Sequence, residues 1–312
     1  MAADPHFVVA RSPRAHRLLT AAVALTVSLS ACTFNYRESY LLGAQPGPAA
    51  DLAALHAEFP GHAFAQGTVS VPGAELATLS MTRNDARATV LYFGGNAYRS
   101  GRSGRFSAAV YADIPVDLVI VDHRGYGTSS GSPSIAALRD DALRAYDLLA
   151  ADPAIAARPL IVHGQSLGSF LAGHVASQRR LDGLVLESSA TSTEDWVAWQ
   201  RSRLPWWKRM WVRRIRVDDA LAAQGNLAVA RGLDEPVLYV VGADDLATPP
   251  QFTRQLHAQT ALPDACRTLL VVPGRGHNDA TRSPEFRDAM SNLVAAAAAP
   301  AEGPRCGQRP AL

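Results

Sequence analysis

The sequence predicts an α/β fold: a mostly parallel central sheet with helices on both faces and a short helical cap inserted late in the chain. Apolar runs rich in valine, isoleucine and leucine recur at residues 89–93, 117–121, 160–162, 183–186, 237–241 and 268–272. That is the composition of strands buried on both faces of a parallel sheet. Helix-compatible stretches fall between them, at 104–112, 134–150, 167–178, 250–261 and 284–298, and such alternation builds a doubly wound sheet. A chain of 312 residues with 48% hydrophobic and 19% charged content suits one large domain with a real core.

Ahead of the sheet, extended segments are expected at 67–71 and 75–81, the second with apolar alternation. Residues 32–65 read as a tether carrying a helix over 51–58, and 66–299 as the main domain. One stretch breaks the alternation. Between Ser188 and Leu233 there is no strand-like run, and all five tryptophans (Trp196, Trp199, Trp206, Trp207 and Trp211) fall there. Residues 189–233 are therefore read as an insertion over the sheet. From 300 onward the chain is rich in proline, glycine and alanine and reads as a disordered tail.

At the N-terminus, Arg11, Arg14 and Arg17 precede an apolar run over 18–29, followed by small residues and Cys32. This is the layout of a secretory signal over 1–31; a spanning helix needs about 20 apolar residues. The junction Leu29-Ser30-Ala31-Cys32 resembles the lipobox of bacterial lipoproteins. The resemblance implies that Cys32 is diacylated, becomes the first residue of the mature protein and anchors a soluble domain to a membrane, facing the periplasm or the exterior of a bacterial envelope. The plainer reading is an ordinary signal peptide or an uncleaved anchor. The two remaining cysteines, Cys266 and Cys306, are free to pair in an oxidising compartment.

A net charge of +2 offers no case for nucleic acid as partner. Neither Cys266 nor Cys306 has the Cys/His company of a metal site, so neither a metal nor an organic cofactor is expected. The chain reads as a monomer.

Gly164-Gln165-Ser166-Leu167-Gly168 fits the pattern G-x-S-x-G, and so does Gly127-Thr128-Ser129-Ser130-Gly131. Context separates them. A nucleophile elbow needs a strand running into a tight turn and then a helix, so that the serine is pushed out at the strand's carboxyl end. Ser166 has the run 160–162 before it and a helix-compatible stretch after it. Ser129 lies past its strand and is followed by Gly131 and Pro133, which break an immediate helix. Ser166 is the candidate nucleophile.

Asp122-His123-Arg124-Gly125-Tyr126-Gly127-Thr128-Ser129 resembles the D-x-R-G-x-G-x-S loop of α/β-hydrolases, where it is structural; this accounts for the second match. Phe93-Gly94-Gly95-Asn96-Ala97 resembles the H-G-N-A turn of the bem46-like serine hydrolases, with Gly94 in place of the usual histidine. In this fold the oxyanion donors are the amide after the nucleophile and one from the loop after the third strand, here Leu167 and Asn96. The other reading of 94–97 is a simple Gly-Gly turn.

The chain order of the fold is serine, acid, histidine. Of nine histidines, only His257 and His277 lie well beyond Ser166. His257 sits mid-helix and reads as a surface residue. His277 lies in Pro273-Gly274-Arg275-Gly276-His277-Asn278-Asp279, which resembles the family's glycine-rich G-G-G-H-N-D turn, and is the candidate base. His163, on the strand before the elbow, reads as a core or supporting residue. For the acid, Gly242-Ala243-Asp244-Asp245-Leu246-Ala247-Thr248-Pro249 resembles G-x-x-D-x-x-x-P and points to Asp245, with Asp244 one residue early. Glu187, at the end of the preceding strand, competes for the role.

The tryptophans of the insert stand among Arg201, Arg203, Lys208, Arg213, Arg214 and Arg216. Indoles and cations together suit a lid that touches anionic membrane or binds an acyl chain; equally, they suit a rigid cap forming a pocket wall. The resemblance, over about residues 67–298, implies a serine hydrolase acting on a carboxylic ester or thioester, lipid-acyl esters included, through an acyl-enzyme. A serine peptidase and a non-catalytic lipoprotein binding module are the alternatives.

Overall fold

The computed structural model describes residues 32–298 and Cys306, with the backbone alone described at 32–34 and 210–214. The expected signal segment 1–31 and, apart from Cys306, the expected tail lie outside the described residues.

Strands β1 (Ala63–Val71) and β2 (Ala74–Thr82) form an antiparallel hairpin, turned at Gly73 with φ +77, a conformation a side chain would strain. There follow β3 (Ala88–Phe93), β4 (Val116–Val121), β5 (Leu160–Gln165), β6 (Gly183–Glu187), β7 (Val237–Gly242) and β8 (Arg267–Val272). They join the hairpin in one sheet of order β8-β7-β6-β5-β3-β4-β2-β1. From β4 to β8 every neighbouring pair is parallel, while β2 meets β4 antiparallel. Every residue of β3, β5, β6 and β7 is buried, so their continuous apolar runs answer to cover on both faces. The order reverses where β5 and β4 flank β3, and in open parallel sheets ligands bind beyond the carboxyl ends of the strands at such a switch point.

The main helices are α1 (Ser100–Tyr111), α2 (Ile135–Ala151), α3 (Leu167–Gln178), α4 (Thr193–Ser202), α5 (Trp206–Trp211), α6 (Pro250–Gln259) and α7 (Pro284–Ala297). One core layer takes Leu138 and Ala142 of α2, Leu171 and Val175 of α3 and Leu256 of α6. The opposite layer takes Ala108 and Tyr111 of α1 with Phe286, Met290 and Leu293 of α7. The sheet is thus sandwiched as its alternation predicts.

Two expectations change. Residues 32–65 are more than a tether: Cys32–Tyr36 is a strand, the Glu38 carboxylate accepts from the Ile135 N–H at the start of α2, and β1 already begins at Ala63. The insert, read as strand-free, contains the strand Val212–Val217, which pairs in parallel with Cys32–Tyr36 from Cys32↔Val212 to Tyr36↔Val217. Its sequence, Val-Arg-Arg-Ile-Arg-Val, lacks the apolar run of a core strand because it lies outside the main sheet. The tail is tied back at one point, where Cys306 is disulfide-bonded to Cys266 ahead of β8. Among the described residues no helix is long and apolar enough to cross a membrane.

Candidate active site

Ser166 stands between β5 and α3 with φ 53 and ψ −113, a conformation costing a non-glycine residue about 1–3 kcal/mol. The turn is tight enough to exclude side chains on both sides. A Cβ on Gly164 would lie 2.1 Å from the Gly168 carbonyl oxygen, and one on Gly168 would lie 2.0 Å from that of Phe93. Both glycines of G-x-S-x-G are therefore required by backbone approach. Among the described residues the one other non-glycine at positive φ is Ser188, at 50, directly after β6.

Ser166 Oγ lies 3.0 Å from His277 Nε2, and His277 Nδ1 lies 2.9 Å from Asp245 Oδ2. The loops after β5, β7 and β8 bring these residues together across more than a hundred positions of sequence. Asp245 is 1% exposed, and its Oδ1 accepts from the Ala247 and Thr248 N–H groups, each at 2.8 Å. Burial alone would raise this carboxyl; the hydrogen bond and charge of His277 and the Thr248 donors outweigh it and hold the carboxyl below its ordinary value. The His277 loop is braced from beneath: its carbonyl accepts from Gln165 Nε2 and from Ser188 Oγ, each at 3.2 Å.

The competing acid is engaged elsewhere. Glu187 Oε1 accepts from Thr281 Oγ1 at 3.2 Å, and its Oε2 stands 3.2 Å from His163 Nε2 without good hydrogen-bond geometry. His163 is fully buried, with Tyr111 Oη 2.5 Å from its Nδ1. Neither residue bonds His277. His257 is half-buried, edge-on to the Tyr239 ring.

The loop after β3 lies against the elbow. A Cβ on Gly95 would come within 2.4 Å of Gln165 Oε1. Asn96 is held through its Oδ1 by Tyr126 Oη and through its carbonyl by Gln45 Nε2, each at 2.7 Å. The carbonyl of Gly94 accepts from His123 Nε2 at 2.8 Å. Leu167 opens α3, so its N–H is among those a helix start leaves without an i−4 acceptor. Ser129, the serine of the second G-x-S-x-G, is buried; its Oγ accepts from the Ala77 N–H at 2.8 Å and lies 3.1 Å from the Asp122 carbonyl. It holds the loop to β2.

A family model described as serine aminopeptidase, S33, matches residues 84–228. The Mycobacterium tuberculosis protein Rv2307c is 31% identical over 206 residues, which cover 66% of this chain and 67% of its own. The chain belongs to the α/β-hydrolase family. Protein bem46 of Schizosaccharomyces pombe is 30% identical over 170 residues, 54% of each chain, so the match spans about half of that relative. The esterase Pf2001 of Pyrococcus furiosus shares the fold, with a TM-score of 0.60 at 13% identity over 80% of this chain and 98% of its own.

In this α/β-hydrolase a cleft of 560 Å³ opens beside Ser166 and His277, between α1 and the short 3-10 turn Ala280–Arg282. Asn96 lines it, and so do Tyr92, Tyr98, Glu187 and Thr281. None of Trp196, Trp199, Trp206 and Trp207 does, so of the two readings of the insert, lid or pocket wall, the second draws no support from this cleft; the side chain of Trp211 lies outside the described residues. The indole of Trp196 instead donates to the Ala247 carbonyl at 3.0 Å and that of Trp199 to the Leu246 carbonyl at 3.5 Å. These acceptors seat α4 over the loop that carries Asp245. Trp206 and Trp207 are 68% and 49% exposed.

The sequence did not point to Gln165, Thr248, Ser188 or Asn226 as supporting residues. Asn226 reaches from the end of the insert to donate to the Ser169 carbonyl at 2.9 Å and to Ser189 Oγ at 2.8 Å, holding the first turn of α3. Gln165 and Thr248 sit at variable places inside the two motifs, which was the only available signal; Ser188 and Asn226 had none.

Proposed function

We propose that this α/β-class serine hydrolase cleaves a carboxylic ester or thioester through an acyl-enzyme, with Ser166 as nucleophile, His277 as base and Asp245 as orienting acid. The observation that carries the reading is the continuous chain from Ser166 Oγ to His277 Nε2 at 3.0 Å and from His277 Nδ1 to Asp245 Oδ2 at 2.9 Å. Ser166 Oγ adds to the acyl carbon as its proton passes to Nε2. The Leu167 and Asn96 amides hold the resulting oxyanion, and the imidazolium returns the proton to the leaving oxygen or sulfur. Water then repeats the sequence and frees Ser166. Asp245 keeps the tautomer in which Nε2 is free to accept and stabilises the imidazolium. A serine peptidase is the second reading, favoured by the description of the matching family model.

The test is hydrolysis of p-nitrophenyl esters from acetate to palmitate, and of aminoacyl p-nitroanilides, by the chain from Thr33 onward with and without Ser166→Ala. Ester turnover abolished in the variant supports the reading. Turnover of anilides alone favours the peptidase, and no turnover without fluorophosphonate labelling of Ser166 leaves a non-catalytic binding module.

We also propose that the domain sits on a membrane through a lipid on Cys32. The backbone pairing Cys32↔Val212 puts that residue beside the end of α5, whose exposed Trp206 and Trp207 adjoin Lys208 and Arg209. An anchor at Cys32 and an aromatic, cationic helix would then meet the same surface.

A further inference from the structure

The cleft beside Ser166 mixes apolar and polar lining: Phe106 and Val110 stand in its wall together with tyrosines, arginines and the catalytic pair. Its floor carries Tyr92 and Tyr98, with Tyr98 Oη 2.7 Å from Ser107 Oγ. Its outer wall carries two arginines, Arg102 of α1 and Arg282 of the 3-10 turn, both exposed. Both line the cleft together with Phe106. Arg102 and Phe106 are four apart on α1 and so share a helix face, and the Arg282 guanidinium lies 4.7 Å from the Phe106 centroid. Neither arginine has a carboxylate partner among the described residues.

Their neighbours behave differently. Arg105 on α1 is bonded to Glu58, and Arg287 on α7 is bonded to Asp113 at 2.9 Å. Among the described residues the one carboxylate in the cleft wall is Glu187; it is 2% exposed, accepts from Thr281 and faces His163, so it does not reach toward the arginines as their partner. Two guanidinium groups thus stand in the wall of one cleft, neither with a carboxylate partner among the described residues, and an anionic group on a substrate would supply one. Guanidinium forks match carboxylate and phosphate oxygens.

We propose that the cleft selects esters whose acyl part bears a carboxylate or comparable anion a few bonds from the scissile carbonyl, held by Arg102 and Arg282. The inference rests on the hydrolase reading above. The anion takes no part in the covalent steps: the ester and water become acid and alcohol through Ser166 as before, and the charge sets which esters are bound.

The test compares the p-nitrophenyl monoester of adipic acid with p-nitrophenyl hexanoate, using the wild-type chain, the double variant Arg102→Gln/Arg282→Gln, its conservative counterpart Arg102→Lys/Arg282→Lys, and Ser166→Ala. A charge-assisted hydrogen bond is worth roughly a tenfold to hundredfold change in binding. We expect kcat/KM to favour the adipate by at least about tenfold, through KM and not kcat, and the preference to shrink as salt is raised. In the glutamine variant the ratio of the two esters should fall to near one, and the lysine variant should keep part of it. If Ser166-dependent turnover shows no preference for the adipate, or the ratio survives in the glutamine variant, the proposal is overturned while the hydrolase reading stands. If neither ester is turned over and a fluorophosphonate leaves Ser166 unlabelled, both fall together.

Discussion

A Cβ on Gly168 would lie 2.0 Å from the carbonyl oxygen of Phe93. The first turn of α3 and the end of β3 therefore touch backbone to backbone, which sets the distance between the Leu167 and Asn96 amides. Gly168→Ala must push the two apart. The expected cost is about 1–3 kcal/mol of stability, or a few degrees in Tm for each kcal/mol in a domain of this size. Ester hydrolysis should fall further, by about a hundredfold, because displaced donors no longer meet the oxyanion. Thermal melts and steady-state kinetics at one temperature separate the two effects; a variant that melts lower yet hydrolyses normally would show that the oxyanion donors lie elsewhere.

Asp245 and Glu187 compete for one role on paper but not in space. Asp245→Asn leaves His277 facing an amide and should cost turnover about 10⁴-fold with little change in fold. Glu187→Gln should cost at least about two orders of magnitude less, because its carboxylate faces His163 and Thr281. Equal losses in kcat would mean that Glu187 serves the base after all.

Glu235, just ahead of β7, is 3% exposed. Its Oε2 accepts from the Asp234 N–H at 3.2 Å, and its Oε1 has no partner among the described residues. Burial first, and the neighbouring Asp234 second, push its carboxyl up to about 8 from an ordinary 4.5. A carboxyl raised on folding favours the protonated native state, so its contribution to stability is full below about 4.5 and is lost as the pH climbs through about 8. Glu235→Gln carries no such slope. Measured by thermal melts at about pH 5 and about pH 9, the variant should gain of order 1–4 kcal/mol over wild type across that interval. Parallel pH curves would show that Glu235 ionises freely in the folded chain.

Trp206 and Trp207 are exposed on a short helix with the Lys208 ammonium 5.2 Å from the Trp207 ring. If this helix meets a membrane, replacing both tryptophans with alanine in the chain from Thr33 should weaken sedimentation with vesicles containing anionic lipid by at least about tenfold. Binding should also decline with salt. Vesicle binding unchanged by the substitutions would remove the helix from the membrane surface.

Much of this is legible in the sequence. The apolar runs predicted the buried strands because a parallel sheet covered on both faces needs uninterrupted valine, isoleucine and leucine. Ser166 was separable from Ser129 by local grammar alone: strand, tight turn, helix in one case, glycine and proline in the other. The strand Val212–Val217 is not legible in the sequence because its partner, Cys32–Tyr36, lies far away along the chain and its arginines break the apolar pattern. What the tryptophans of the insert pack against is hidden for a related reason. Composition marks indoles as interface formers, but the carbonyls of Leu246 and Ala247 that receive Trp199 and Trp196 belong to another loop.

By itself the sequence determined the fold class, the elbow, and the motifs carrying Ser166, Asp245 and His277, because each depends on residue types within a few positions of one another. It left Asp245 and Glu187 open, since Glu187 ends one strand of the sheet and Asp245 lies in the loop after the next. Only the tertiary structure decided which carboxylate faces His277 and which is turned to His163. It alone brought Gln165, Ser188, Thr248 and Asn226 to the support of the site, and placed the cleft between α1 and the 3-10 turn. Such choices depend on distances between loops from opposite ends of the chain, and no local pattern encodes them.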